Sequence, residues 1–386
     1  MAITKLWDIF CKVVDNYGDI GVCWRLAADL ASRGRQVRLW VDDPRALCWM
    51  APHAGNGRWS GVEVLSWDRA HDPPFLSGLA LADVWVEGFG CDVPGPMLQC
   101  RFKETTGERP RVVDPVWINL EYLSAERYAE RSHGLPSPVL YGPAAGHTRY
   151  FFFPGFSERT GGLLREPDLA SRQAIFDRGS WLAEQGVAWR GERLICLFCY
   201  EPTALGQLLH HLATGPVATL LLVTTGRATA AVHQLAPAAG VSSHPRAFET
   251  GNALSIDFLP PLSQRDFDHL LWCCDLNFVR GEDSLVRAIW ARKPFVWQAY
   301  PQDDDVHRVK VEALLDVFEA RPSWRAFHRS WNGYGGDRLA TPEHAEWAQS
   351  LAPVWERLAG ASDLTTRLLR FVETVRTVSA GDPEKR

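Results

Sequence analysis

Short apolar runs alternate with longer amphipathic runs along the first half of the chain. The strand-like runs lie at residues 5–14, 36–43, 62–67 and 82–90. After the first of them, the pattern from Trp24 to Ser32 predicts a helix that ends at Gly34. Alternation of strands and helices predicts a parallel sheet that is covered on both faces.

The alternation is interrupted in the middle of the chain and then restarts. Residues 136–166 are rich in Gly, Pro and aromatic residues, which predicts long loops, and a polar helical stretch follows at residues 172–186. Strand-like runs then lie at residues 193–200, 218–225, 276–280 and 294–300, and helical runs at residues 203–214, 264–274, 281–293 and 305–319. A second parallel α/β unit is therefore expected.

Two α/β units predict two Rossmann-like domains that face a central cleft. We expect an N-terminal domain over residues 1–175 and a C-terminal domain over residues 190–360. The tail carries two amphipathic helices, and the last, at about residues 362–380, could pack back on the first domain. The carboxyl ends of parallel strands bind ligands, so a site between the two domains is the default expectation.

Composition narrows the class of protein. The 386 residues are 46% hydrophobic and 23% charged, as in ordinary globular proteins, and the net charge of −5 argues against nucleic-acid binding. No apolar run approaches the ~20 residues that span a membrane, and no signal-peptide pattern is present, so a cytoplasmic location is expected. The nine cysteines are scattered within apolar runs, which indicates reduced core thiols.

One segment has the pattern of an anion site. A predicted strand ends at Arg280, Gly281 makes a turn, and a helix begins with Glu282, Asp283 and Ser284. The free N–H groups of a helix N-terminus favour an anion, Arg280 adds a positive charge, and Ser284 can donate to a phosphate oxygen. Glu282 suits the hydroxyl groups of a ribose. Plain helix capping by the acidic residues is the alternative explanation.

The loop after the first strand carries two aspartates where a phosphate-binding loop would normally lie. Asp15 and Asn16 could form an Asx turn and Asp19 could cap the helix, with Gly18 and Gly21 giving unusual backbone angles and close packing. Alternatively, the carboxylates project into the cleft and bind a cationic acceptor or remove its proton.

These segments together resemble the bacterial protein-arginine rhamnosyltransferases that act on translation elongation factor P. The resemblance rests on D-N-Y-G-D-I-G-V-C-W-R-L-A, I-N-L-E-Y-L-S-A-E, F-F-F-P-G-F, V-R-G-E-D-S-L-V-R-A and K-P-F-V-W-Q-A-Y-P-Q. It implies a GT-B-type glycosyltransferase fold, dTDP-β-L-rhamnose as donor, an arginine of elongation factor P as acceptor, and inversion at the anomeric carbon. No metal or other cofactor is implied. The modified factor would relieve ribosomes stalled on consecutive prolines.

The resemblance also implies roles for individual residues. It places Asp19 in the position of the catalytic base. The chemistry of an arginine acceptor makes Asp15 the orienting partner, although the reverse is possible, and Glu282 is the third expected catalytic residue. The remaining expected positions, on the donor and acceptor sides together, are Asn16, Gly18, Gly21, Phe198, Tyr200, Phe258, Gln264, Arg280, Gly281, Glu282, Asp283 and Ser284. For Phe258 the spacing to Gln264 departs from the family pattern, and Phe198 and Tyr200 could equally be core residues.

Two other functions stay open at this point. One is another GT-B-type nucleotide-sugar enzyme, either a transferase with a non-protein acceptor or an epimerase. The other is a non-catalytic protein that binds dTDP-sugars. Paired carboxylates argue against the second, because a binding protein gains nothing from unneutralised charge opposite an anion site.

Overall fold

A computed structural model describes residues 6–14, 17–52, 58–59, 61–102, 114–235, 253–301 and 306–381. By the density of internal contacts the chain divides into two units. Unit 1 comprises Met1–Glu166 together with Ala361–Arg386, and unit 2 comprises Pro167–Gly360. All nine cysteines are free thiols, and seven of them are buried.

Unit 1 is built on an eight-stranded sheet with the order β3-β4-β2-β1-β5-β6-β8-β7. Its pairs are parallel except β3–β4 and β7–β8. The strands are β1 (Leu6–Cys11), β2 (Gln36–Val41), β3 (Arg58–Trp59), β4 (Val62–Ser66), β5 (Val84–Gly88), β6 (Val116–Leu120), β7 (Pro136–Pro138) and β8 (Thr148–Phe152). The helices of residues 6–166 are α1 (Gly18–Ser32), α2 (Leu47–Met50), α3 (Pro73–Ser77), α4 (Gly95–Phe102) and α5 (Arg127–Ser132).

Unit 2 is built on a five-stranded parallel sheet with the order β11-β10-β9-β12-β13. Its strands are β9 (Arg193–Leu197), β10 (Thr219–Val223), β11 (Leu254–Phe258), β12 (Leu276–Arg280) and β13 (Phe295–Gln298). Its helices are α6 (Leu169–Ala174), α7 (Arg178–Glu184), α8 (Leu205–Thr214), α9 (Arg227–Leu235), α10 (Gln264–Cys273), α11 (Glu282–Ala291), α12 (Val306–Val317), α13 (Pro322–Trp331) and α14 (His344–Gly360). The last helix, α15 (Leu364–Gly381), belongs to unit 1.

The central strands are apolar on both faces because each sheet is covered on both sides. Every residue of β5, β6 and β10 is buried. In unit 1 one face of the sheet packs with α1 and α15, and the other forms an aromatic core around Phe10, Trp40 and Trp85. Continuous apolar strands of this kind are typical of parallel sheets.

Helix α1 packs very closely on the sheet of unit 1. Its apolar residues recur every three or four positions, so one stripe faces the core. Gly88 at the end of β5 permits this approach, because a Cβ atom there would lie 2.8 Å from the Cys23 sulfur and 3.0 Å from the Phe10 carbonyl oxygen. The helix ends before Gly34, whose φ of +79° favours glycine.

Two predictions about local structure are wrong. Residues 136–166, expected to be loops, contain β7 and β8, and β8 pairs with β6 in parallel. The predicted helical stretch at residues 172–186 is divided into α6 and α7, because Asp177 accepts a hydrogen bond from the Ser180 N–H at 2.7 Å and begins a new helix. Among the described residues, no helix has the length and apolar character to cross a membrane.

Candidate active site

In unit 2 the strand order reverses between β9 and β12. The chain runs from β9 through β10 to β11 on one side and from β12 to β13 on the other. In open α/β sheets, ligands bind outside the carboxyl ends of the strands at this point. Phe198 follows β9 and Arg280 ends β12. The strand order therefore brings together residues that are about 80 positions apart in sequence.

Arg280 is held over two aromatic rings. Its guanidinium carbon lies 4.6 Å from the ring centre of Phe198 and 4.4 Å from that of Tyr200. Tyr200 is buried, and its N–H donates to the Gln298 side-chain oxygen at 2.9 Å. Within the described parts of the chain, no carboxylate pairs with Arg280, and its Nε atom has no hydrogen-bond partner. This guanidinium is positioned by stacking on the two rings, and its Nε atom is buried.

The turn after β12 requires glycine. Gly281 has φ +67° and ψ −171°, a region that residues with a side chain rarely occupy. Its carbonyl oxygen accepts a hydrogen bond from the Trp297 indole at 2.8 Å. The ten-residue helix α11 begins directly afterwards, with Glu282 and Asp283 half-buried in its first turn. The geometry places a helix N-terminus beside the Arg280 guanidinium, which favours a bound anion.

The structure gives Ser284 a different role from the one expected. Its hydroxyl donates to the Arg280 carbonyl oxygen and accepts from the Arg280 N–H at 3.1 Å. The residue is buried. Because the hydroxyl proton is already engaged, Ser284 closes the turn between β12 and α11 and does not present a donor to a phosphate in this structure.

The remaining donor-side positions lie along the same edge of the sheet. Gln264 is the first residue of α10, after the cap Ser263, and is half-buried. Phe258 ends β11, and its ring stacks on His233 at 4.5 Å. Since β10 separates β11 from β9, Phe258 lies two strands, or about 10 Å, from the end of β9.

A buried ion pair anchors α11. Arg287 donates to both carboxylate oxygens of Asp268 in α10, at 2.8 and 2.7 Å, and each side chain is 1% exposed. Such bidentate pairs have a fixed geometry, and Arg172 lies at a longer 3.6 Å from the same carboxylate, so loss of Arg287 leaves the buried charge of Asp268 only partly compensated. The pair therefore fixes the helix whose N-terminus lies beside Arg280.

In unit 1 the strand order reverses between β1 and β5, and Asp19 lies near this point. Asp15 and Asn16 lie outside the described residues. Gly18 begins α1 and Gly21 lies in its first turn. Asp19 does not cap that helix with its side chain: one carboxylate oxygen, Oδ2, accepts from the Val14 N–H at 2.9 Å and so closes the loop that precedes the helix. Asp19 is only 2% exposed.

Two aromatic residues that sequence reasoning missed lie beside Asp19. The Tyr122 hydroxyl, after β6, is 3.4 Å from Asp19 Oδ1, and the Phe89 ring, after β5, stacks on the Tyr122 ring at 4.5 Å. Each residue lies at the carboxyl end of an apolar strand, Phe89 one residue after β5 and Tyr122 two residues after β6. Only the order β1-β5-β6 shows that the three segments are neighbours.

Glu121, the residue before Tyr122, lies beside this cluster. Its side chain is half-buried and accepts a hydrogen bond from the Asn119 amide at 2.8 Å. Burial raises the pKa of this carboxyl group above its ordinary value. Glu121 thus pairs with its own strand, β6, and begins no helix.

Comparison with known proteins agrees, over nearly the whole chain, with the family that the sequence motifs resemble. A family model described as Elongation-Factor P (EF-P) rhamnosyltransferase EarP matches residues 7–373. A protein-arginine rhamnosyltransferase of Pseudomonas aeruginosa is 42% identical over 393 residues, covering 95% of this chain and 98% of its own.

Solved structures extend the comparison to the fold. One, described as the structural basis for EarP-mediated arginine glycosylation of translation elongation factor EF-P, is 31% identical with a TM-score of 0.61, covering 96% of this chain and 99% of its own. UGT89C1 of Arabidopsis thaliana, complexed with UDP, is 12% identical with a TM-score of 0.51 and similar coverage, which shows a shared fold alone. The predicted α/β fold of the GT-B glycosyltransferase type is confirmed.

Proposed function

The chain belongs to the elongation factor P rhamnosyltransferase family, EarP, and from this premise we propose its reaction. It transfers L-rhamnose from dTDP-β-L-rhamnose to one arginine side chain of elongation factor P, with inversion and without a metal ion. The modified factor then acts on ribosomes stalled at polyproline. The observation that carries the donor half is the Arg280 guanidinium, which has no carboxylate partner in the described parts of the chain and stacks on two rings beside a helix N-terminus.

On the donor side, Arg280 and the first turn of α11 bind the diphosphate. As the bond to the anomeric carbon breaks, negative charge grows on the leaving diphosphate, and fixed donors stabilise it. Phe198 and Tyr200 hold the guanidinium in place, and Phe198 is exposed enough to contact the nucleotide. Glu282 accepts hydrogen bonds from the donor's hydroxyl groups. Gln264 and Asp283 complete this side, with Phe258 at its outer edge.

On the acceptor side, the chemistry demands a carboxylate. A guanidinium keeps its proton up to a pKa above about 12, so a carboxylate with a pKa near ~4 cannot remove it in advance. The proton must leave as the C–N bond forms or after bond formation has begun. We assign Asp19 as the group that receives it and Asp15 as the partner that orients the guanidinium.

The contacts of Asp19 are consistent with that role. Its Oδ2 atom accepts from the Val14 N–H, which fixes the plane of the carboxylate, and its Oδ1 atom is 3.4 Å from the Tyr122 hydroxyl. Hydrogen bonds between oxygen atoms are usually 2.5–3.0 Å long, so a guanidinium N–H can take over this place when the acceptor binds.

The central experiment combines the purified protein, dTDP-β-L-rhamnose and elongation factor P. Peptide mass spectrometry then locates any added deoxyhexose. We expect one deoxyhexose on one arginine; modification of lysine, or no modification, would refute the proposal. Free rhamnose or an isomerised donor in the absence of the factor would indicate another nucleotide-sugar enzyme.

The role of Asp19 is tested separately. Asp19→Asn should abolish transfer and leave the dissociation constant for dTDP near that of the unmodified protein. Asp68→Asn is the matched control, because Asp68 is an exposed aspartate of the same unit. Weakened dTDP binding in Asp19→Asn would contradict the assignment of this residue to the acceptor side.

A further inference from the structure

Tyr122 places an aromatic ring directly beside the Asp19 carboxylate. The hydroxyl is 3.4 Å from Asp19 Oδ1, and the residue is 40% exposed. Phe89 covers one face of the ring, with ring centres 4.5 Å apart and planes 21° apart. The ring thus has one face against Phe89, while the residue as a whole remains partly open to solvent.

The backbone under this pair is strained. Phe89 has φ +59°, which is uncommon for a residue with a side chain, and Gly90 follows with φ +70°. The Phe89 N–H donates to the Leu120 carbonyl oxygen at 2.7 Å, so the turn after β5 is tied to the end of β6. Strained conformations of this kind persist where the surroundings enforce them, and they cluster at ligand sites. The turn directs Phe89 onto Tyr122 and so fixes the ring.

We propose that the Tyr122 ring is the surface on which the guanidinium of the acceptor arginine stacks, and that it selects arginine over lysine. This inference rests on the proposed function and adds a specificity residue to the acceptor side. A guanidinium is planar and weakly hydrated, so it gains from stacking on an aromatic face, whereas an ammonium group is compact and strongly hydrated.

The ring and the carboxylate bind different parts of the guanidinium. The ring contacts the face of the planar group, and Asp19 Oδ1 accepts an N–H that lies in its plane. With both contacts made, the guanidinium has a defined orientation and the reacting nitrogen a defined direction. An alternative role for Tyr122 is to position the Asp19 carboxylate through its hydroxyl.

Two substitutions separate these roles. Tyr122→Phe keeps the ring and removes the hydroxyl, whereas Tyr122→Leu removes the ring. We expect Tyr122→Leu to raise the KM for elongation factor P by roughly three- to thirtyfold with little change in kcat, since stacking on the bound guanidinium is lost. Tyr122→Phe should raise KM several times less. Tyr141→Leu, at a tyrosine that is 86% exposed in the same unit, is the matched control and should change neither constant.

A binding cycle tests selection of arginine directly. Calorimetry would measure the affinity of the unmodified protein and of Tyr122→Leu for elongation factor P and for a variant whose acceptor arginine is replaced by lysine. The preference for arginine should fall severalfold in Tyr122→Leu. An equal preference in both proteins would overturn the proposal, as would a marked fall in kcat in both Tyr122→Phe and Tyr122→Leu with little change in KM, which would indicate that the hydroxyl positions Asp19.

Two controls distinguish failure of this inference from failure of the proposed function: the enzyme without substitutions, and a test that each variant is folded. If the enzyme without substitutions does not modify elongation factor P, the proposed function is refuted. If it does modify the factor and Tyr122→Leu has an unaltered KM, only this inference is refuted. Normal dTDP affinity and an unchanged melting temperature show that a variant is folded. If Tyr122→Leu does not fold, Tyr122→Met serves as the second variant without an aromatic ring, with the same expected rise in KM.

Discussion

Arg280→Ala should remove most of the affinity for dTDP. The guanidinium lies over Phe198 and Tyr200, and within the described residues no carboxylate neutralises it. A diphosphate that binds here gains charge-assisted hydrogen bonds from a group that the protein has already oriented. Arg280→Lys keeps the charge and loses the planar fork, so it isolates the contribution of geometry.

The expected rise in the dissociation constant follows from the number of hydrogen bonds that the substitution removes. A hydrogen bond to a charged group contributes about 1.5–3 kcal/mol, and a guanidinium can make two to a diphosphate. Loss of both corresponds to at least about 3 kcal/mol, or roughly a 150-fold rise in the dissociation constant. Arg280→Lys should lose about one of the two bonds, which corresponds to roughly tenfold. Glu282→Ala should raise the dissociation constant for dTDP by a similar factor of roughly ten, because a hydrogen bond to a sugar hydroxyl lacks the charge of the diphosphate.

Isothermal calorimetry with dTDP measures these constants without the acceptor protein. Arg321→Ala, at an exposed arginine of unit 2 that pairs with Glu346, is the control and should bind dTDP normally. The affinity of the unmodified protein should weaken with added salt, and that of Arg280→Ala should depend less on salt. A dissociation constant within threefold of normal in Arg280→Ala would refute the diphosphate role.

Two further predictions concern stability. Arg287→Ala should destabilise unit 2 by about 3–5 kcal/mol in chemical denaturation, because Asp268 would keep a buried charge without its bidentate partner, and the double variant Asp268→Leu with Arg287→Met should recover much of the loss. Equal destabilisation in the single and double variants would contradict this account. Burial raises the pKa of Glu87 to about 7 from 4.5, so the folded protein binds a proton that the unfolded chain has released between those pH values. The contribution of Glu87 to stability should therefore fall as the pH rises from about 4.5 to 7. Across that pH range the melting temperature of the protein without substitutions should fall relative to that of Glu87→Gln. A difference in melting temperature that stays constant with pH would contradict the prediction.

Much of the fold was predictable because its central strands are long apolar runs between amphipathic helices. The runs at residues 193–200 and 276–280 correspond to β9 and β12. Strand β8 was missed because its sequence, T-R-Y-F-F, lies in a segment rich in proline and glycine, and its pairing with β6 joins residues about 30 positions apart. Such pairing depends on the topology of the sheet, which local patterns do not contain.

The candidate site could be predicted only where its residues are contiguous in the sequence. The turn from Arg280 to Ser284 has the pattern of a candidate anion site in contiguous residues, and Asp19 stands out as a carboxylate where a phosphate-binding loop would normally lie. The pair of Phe89 and Tyr122 could not, since the two residues meet only because β5 and β6 are adjacent. Conversely, the Ser284 hydroxyl donates to the Arg280 carbonyl oxygen within the turn, and this hydrogen bond could not be predicted from the sequence.

The route of the chain between the two units has a consequence for biosynthesis. Helix α15 places Leu364, Leu368 and Val372 in the core of unit 1, and Arg33 of α1 binds Asp363 at 2.8 Å. Residues 1–166 are made before unit 2, yet one face of their sheet is covered by α15, which is made after unit 2. Unit 2 is complete in sequence before α15 is made, so the unit whose synthesis begins first is the last to receive all the residues that cover its sheet.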